Sequence, residues 1–137
     1  MKYKLALVVL LQLLLAACAN QNARILEGGN QLELRSMQSR AFDTNDKNMV
    51  VRTVIATMQD LSFVIDKADA DLGTVSGTKL GGYQIKMTVT VRPKSESQTL
   101  VRANAQYNLN AIEDPEVYQS FFTSLQKAMF LTAHSIE

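Results

Sequence analysis

The chain has one cysteine, Cys18, and one histidine, His134. A single cysteine closes no intrachain disulfide and builds no cysteine metal cluster. A single histidine makes no metal site by itself. Without a placed nucleophile it does not suggest catalysis either, so His134 reads as a surface side chain. An excess of one charge is also lacking, with 14 Lys and Arg against 13 Asp and Glu. That balance gives no electrostatic ground for nucleic acid as a partner, or for a polybasic hold on anionic lipid. Long apolar runs are missing too. The longest is Leu5 to Leu11, broken by Gln12 and resumed from Leu13 to Ala17. A membrane-spanning helix needs about 20 such residues.

The motifs of common enzymes are equally scarce. No serine sits in a nucleophile elbow. Gly28-Gly29 and Gly81-Gly82 lack the later glycines and the lysine of phosphate-cradling loops. Asp66, Asp69, Asp71 and Gly73 have some look of a calcium loop. That pattern wants a third oxygen ligand before its glycine and a closing glutamate. Counted from Asp69, the fifth position is already Gly73 and the twelfth is Leu80. A hairpin turn accounts for these aspartates through local hydrogen bonds. No metal and no cofactor is expected, and the chain reads as a binding module rather than an enzyme.

What is present begins with Lys2 and Lys4, followed by the apolar run and then Leu15-Ala16-Ala17-Cys18. Charged start, apolar core and small residues form the three parts of a secretory signal. The final four residues resemble the lipobox of bacterial lipoproteins: a leucine, two small residues and an obligatory cysteine. The resemblance implies that residues 1–17 are a signal peptide cut between Ala17 and Cys18. It implies that the Cys18 thiol receives a diacylglycerol and that the new amino group is acylated. Acyl chains contribute about 0.8 kcal/mol for each buried CH₂, so three of them anchor permanently. The next residue is Ala19 rather than aspartate. In enteric lipoproteins that implies the outer membrane, on its periplasmic face, with the inner membrane as the lesser expectation.

Residues 18–31 follow as the lipidated cysteine and a tether rich in Asn, Gln and Gly. Fully extended, Ala19 to Gln31 reaches about 45 Å at most. Residues 32–137 are of ordinary length for a single domain with its own core. Leu32 to Phe42 reads as a strand with a bulge near Ser36, because the apolar parity shifts there. Asp43-Thr44-Asn45 offers capping side chains for a helix from Asp46 to Leu61. Val50, Val51, Val54, Ile55, Met58 and Leu61 draw its apolar stripe. Phe63 to Ala68 and Leu72 to Lys79 read as a hairpin around Asp69-Ala70-Asp71.

Tyr83 to Arg92 alternates cleanly, with Tyr83, Ile85, Met87, Val89 and Val91 on one side and Gln84, Lys86, Thr88, Thr90 and Arg92 on the other. Thr99 to Leu109 does the same, with Val101, Ala103, Ala105 and Tyr107 inward and Arg102, Asn104, Gln106 and Asn108 outward. Asp114-Pro115 opens a last helix. Its stripe is Tyr118, Phe121, Phe122, Leu125, Met129, Thr132 and Ile136. The order β-α-β-β-β-β-α with clean alternation predicts an α+β two-layer sandwich. An antiparallel sheet of about five strands carries two helices on one face.

The helix Val50 to Leu61, the passage Leu61-Ser62-Phe63-Val64-Ile65, the turn ending in Leu72-Gly73 and the aromatic closing helix are a pattern. It resembles the helix-grip domains of BamC, a lipoprotein of the outer-membrane barrel assembly machinery. The likeness extends over most of residues 32–137 and implies a helix-grip-like fold.

Two surfaces stand out. The uncovered sheet face would carry Lys86, Thr88, Thr90, Arg102, Asn104 and Gln106, a polar platform for a protein partner or a glycan. A plain solvated sheet face has the same composition by default. Phe130 points away from the Phe122–Met129 stripe at about 100° per residue. It is either a docking knob or a residue packed under the tether or first strand. The expected function is that of a lipid-anchored binding or assembly accessory of an envelope complex, with the membrane and an envelope protein as its partners. Anchoring raises its effective concentration for neighbours. One alternative is a carrier holding a small apolar ligand among Val54, Met58, Phe121, Phe122 and Met129, residues that equally suit a plain core. The other is an envelope hydrolase, which would need ionisable groups gathered in a cleft.

Overall fold

The computed structural model describes residues 1–3 and 30–134. The chain divides into two compact units, Met1–Arg35 and Ser36–Glu137. In the first unit, Lys2 and Tyr3 are helical, as are the residues from position 30 onward. Ala17 and Cys18 lie outside the described residues, as do most of the expected signal peptide and tether.

Residues 30–37 are helical rather than extended, which corrects the strand expected from Leu32. Gln31, Leu32, Glu33, Leu34 and Arg35 are all good helix formers. The parity shift near Ser36 marks this change of structure and not a bulge. The strand itself, β1, is Ser39–Phe42.

The helix α1 spans Lys47–Asp60. Its N-cap is Asp46, just after the three residues expected to supply it. The Asp46 carboxylate accepts from the Met49 amide at 2.9 Å, and Thr44 Oγ1 accepts from the Asp46 amide at 3.2 Å. Val50, Val51, Val54 and Met58 are buried, together with Thr53 and Thr57. Both threonines occupy the buried face at little cost, because their hydroxyls donate to the carbonyls of Met49 and Thr53 one turn earlier.

Then come β2 Phe63–Asp69, β3 Thr74–Lys79, β4 Ile85–Pro93, β5 Thr99–Tyr107 and a short β6 Asn110–Ala111. The last was not legible in the sequence. The final helix, α2, is Pro115–His134. The fold is α+β, with one antiparallel sheet in the order β1-β5-β4-β3-β2 and β6 paired to β5. A register shift between Ile65 and Lys67 interrupts the β2–β3 ladder.

Both helices pack on one face of this sheet. Val75, Met87, Val89, Val91, Val101, Ala103 and Ala105 point into that layer and are buried. They meet Met58, Tyr118, Phe121, Phe122 and Leu125 from the helices, all fully buried. Burial of each large aromatic contributes about 1.5–3 kcal/mol. Tyr83, before β4, and Tyr107, at the end of β5, were expected inward but are exposed, and their rings meet edge to face. In α2, Thr132 is exposed, and Ile136 lies outside the described residues.

Gly77 leaves room for α1, since a Cβ there would stand 3.0 Å from the Met58 methyl and 2.9 Å from the Val64 carbonyl oxygen. Arg40, on the covered side of β1, lays its guanidinium 5.1 Å from the Phe122 ring centroid. It also donates to Gln126 Oε1 at 3.2 Å. Its stem covers the aromatic edge while its charge stays near water.

Candidate functional site

Since the helices occupy one face, the other face of the sheet is open. Strand register sets its composition. Thr74 faces Thr90, and Thr90 faces Arg102. Ser76 faces Thr88, and Thr88 faces Asn104; Thr78 faces Lys86, and Lys86 faces Gln106. The six residues singled out from the sequence thus form three cross-strand pairs, flanked by hydroxyls from β3. Arg102 donates from Nε to Ser39 Oγ at 3.1 Å. Thr78 donates to the Asp66 carboxylate at 2.7 Å. These bonds hold the two ends of the platform in place.

Two shallow grooves run over this face. One of about 420 Å³ is lined by Thr90, Arg92, Leu100, Arg102 and Asn104. The other, of about 360 Å³, is lined by Asp66, Thr78, Gln84, Lys86, Gln106 and Asn108. Thr88 lies on the platform between them. Arg92 and Thr78 were not singled out as site residues from the sequence, and Asp66 only as part of the calcium-loop likeness that failed. Their parity was readable, but their grouping depends on register across three strands.

Phe130 is exposed on α2, at 60%, and the structure does not bring it to the open face. Its ring stacks on His134 with centroids 4.1 Å apart. His134 Nδ1 lies 2.7 Å from the Phe130 carbonyl oxygen. Leu131 beside it is also exposed.

A third groove, of about 230 Å³, lies between the start of α2 and the sheet. Its lining includes Phe63, Ile85, Met87 and Phe121, with Lys79, Asp114 and Glu116 at its rim. It falls below the roughly 300–1,000 Å³ typical of small-molecule pockets. Of the five residues expected to line a carrier cavity, only Phe121 touches it. Val54, Met58, Phe122 and Met129 are buried as core and line none of these three grooves.

The aspartates of the β2–β3 connection form a turn. Asp69 accepts from the Leu72 amide at 2.9 Å, and the Lys47 ammonium donates to the Asp71 carbonyl at 2.6 Å. Among the described residues, no three His, Cys, Asp or Glu side chains come together as metal ligands.

No family model matches the chain, and no curated protein sequence matches it. Among solved structures, it is similar to a DUF4468 family protein from Bacteroides ovatus, at 12% identity and a TM-score of 0.40. That match covers 66% of this chain and 83% of the other.

Proposed function

We propose that this protein is a lipid-anchored lipoprotein of the bacterial envelope, held through Cys18 at the periplasmic face of the outer membrane. In this reading its α+β domain is a non-catalytic binding or assembly accessory within an envelope complex. The open sheet face, with Lys86, Thr88, Thr90, Arg102, Asn104 and Gln106, is the contact surface for a protein partner.

The observation that carries this reading is the sequence Leu15-Ala16-Ala17-Cys18 at the close of an apolar run. A thiol placed after two small residues suits lipid transfer and cleavage. It has no second cysteine in the chain with which to form a disulfide. The polar platform supports the second half of the reading. Its residues are presented on one surface, with no core role to explain them. Anchoring then confines that surface to a thin layer beside the membrane, where a weak contact suffices for occupancy.

The test is metabolic labelling with palmitate, followed by membrane fractionation of the wild type and Cys18→Ser. The expected result is label in the wild-type outer-membrane fraction and none in the variant. Equal label in both, or a protein that stays in the cytosol, overturns the proposal. Crosslinking of the intact protein in cells then identifies the partner.

A further inference from the structure

The platform does not have the same chemistry along its length. At the end where β1 joins the sheet, Thr90 faces Arg102 and Arg92 faces Leu100. Arg92 and Arg102 are therefore diagonal neighbours on adjacent strands, with the same face outward. Such neighbours stand about 7–8 Å apart, within common reach of two long side chains. Both line the 420 Å³ groove, whose other lining residues are Thr90, Asn104 and Leu100. No carboxylate is among them.

The pairing of these two cations sets them apart from ordinary surface charges. The Arg92 side chain makes no hydrogen bond or ion pair with any described residue. Arg102 uses Nε on the neutral Ser39 hydroxyl, which orients the guanidinium and leaves its terminal nitrogens open. Carboxylates do occur elsewhere on this face. Asp66 lies in the other groove, bonded by Thr78. Asp69 accepts from the Leu72 amide in its turn. Two guanidinium forks lining one groove with no carboxylate among its lining residues, beside a hydroxyl and an amide, fit an oxyanion held by bidentate charge-assisted bonds. Thr90 and Asn104 would supply neutral hydrogen bonds to the same group. Leu100, opposite Arg92 in the ladder, would meet an apolar part of the molecule carrying it.

We propose that the groove between Arg92 and Arg102 is a binding site for an oxyanion, a phosphate or a carboxylate group. The proposal names the chemistry at one end of the contact surface and so rests on that face being the one that binds.

The test uses the full-length protein in nonionic detergent micelles, titrated separately with pyrophosphate and with citrate and followed calorimetrically. Saturable binding of either probe is expected. Pyrophosphate alone identifies a phosphate ligand, citrate alone a carboxylate, and both an oxyanion site of broad tolerance. The double variant Arg92→Gln/Arg102→Gln should weaken binding at least tenfold. Arg52→Gln/Lys127→Gln, which removes the same charge from the helix layer, should change it less than twofold. Arg92→Lys/Arg102→Lys should weaken it severalfold, because charge is kept and the fork is lost. If the glutamine pair fails to fold, each single variant carries the comparison.

Absence of saturable binding by both probes, or equal loss in the helix-layer variant, overturns the inference. The two proposals separate cleanly. If oxyanions do not bind but charge reversal at the platform still abolishes partner capture in cells, only the oxyanion site falls. If oxyanions bind and capture survives the reversal, the partner surface falls instead.

Discussion

Gln38 donates its side-chain amide to the hydroxyl of Tyr118 at 3.1 Å, joining positions eighty residues apart. The same hydroxyl accepts from the Ala105 amide at 3.2 Å and donates to the Ile112 carbonyl at 2.6 Å. Tyr118 is fully buried. One oxygen thus ties α2, β5, the segment before α2 and the entry to β1. Tyr118→Phe keeps the ring and strands three polar groups. The expected loss is roughly 2–3 kcal/mol, or about 10–20 °C in Tm for a domain of this size. A melt within two or three degrees of wild type, as rough resolution, would show that water replaces the hydroxyl.

Gly73 sits at φ +69°, and a Cβ there would lie 2.2 Å from the Val91 carbonyl oxygen and 2.8 Å from Lys47 Cε. The Gly73 carbonyl accepts from the Val91 amide at 2.7 Å, so the strands cannot easily part. Gly73→Ala should cost on the order of 3 kcal/mol. Gly82 has the same φ and open space around it, so Gly82→Ala should cost only about 1 kcal/mol. Urea titrations of the pair separate steric clash from backbone strain; equal losses would refute the distinction.

On α2, Phe121 is fully buried and Phe130 is 60% exposed. Phe121→Ala should destabilise by about 3–5 kcal/mol. Phe130→Ser should stay within about 0.5 kcal/mol, as surface changes do. If Phe130 is a docking knob, its variant folds normally and loses a crosslinked partner. A large fall in its Tm would instead mean that the ring packs against the rest of the chain.

Lys86 and Arg102 lie on the open face, opposite Gln106 and Thr90. Lys86→Glu/Arg102→Glu should leave the thermal midpoint nearly unchanged, because both are exposed. Partner capture in cells should be lost. A variant that captures the same protein at wild-type yield would remove the open face from the proposed function.

Period and punctuation made most of the architecture readable. Met87, Val89 and Val91 alternate with Lys86, Thr88 and Thr90, and the buried set is the apolar one. The three- and four-residue spacing from Val50 to Met58 marked α1, and Asp114-Pro115 marked the start of α2. The strand expected from Leu32 failed because a helix ending at Met37 and a strand starting at Ser39 were read as one element. Two short elements with a parity shift between them look like one bulged strand.

Alternation and helical period act between neighbours in the chain, and so the sequence by itself determined most of the element types from α1 onward, most of the buried faces and the polarity of the platform. The motif around Cys18 is likewise a local matter of residue order. Tertiary structure alone decided which outward residues became neighbours. Arg92 meets Arg102 because β4 pairs with β5 in one register, and a slip of a single residue would separate their faces. Tyr118 likewise gained Gln38, eighty residues away, only through the packing of α2 against the sheet. Register and layer packing are fixed by the whole core at once, and no local stretch of sequence contains that information.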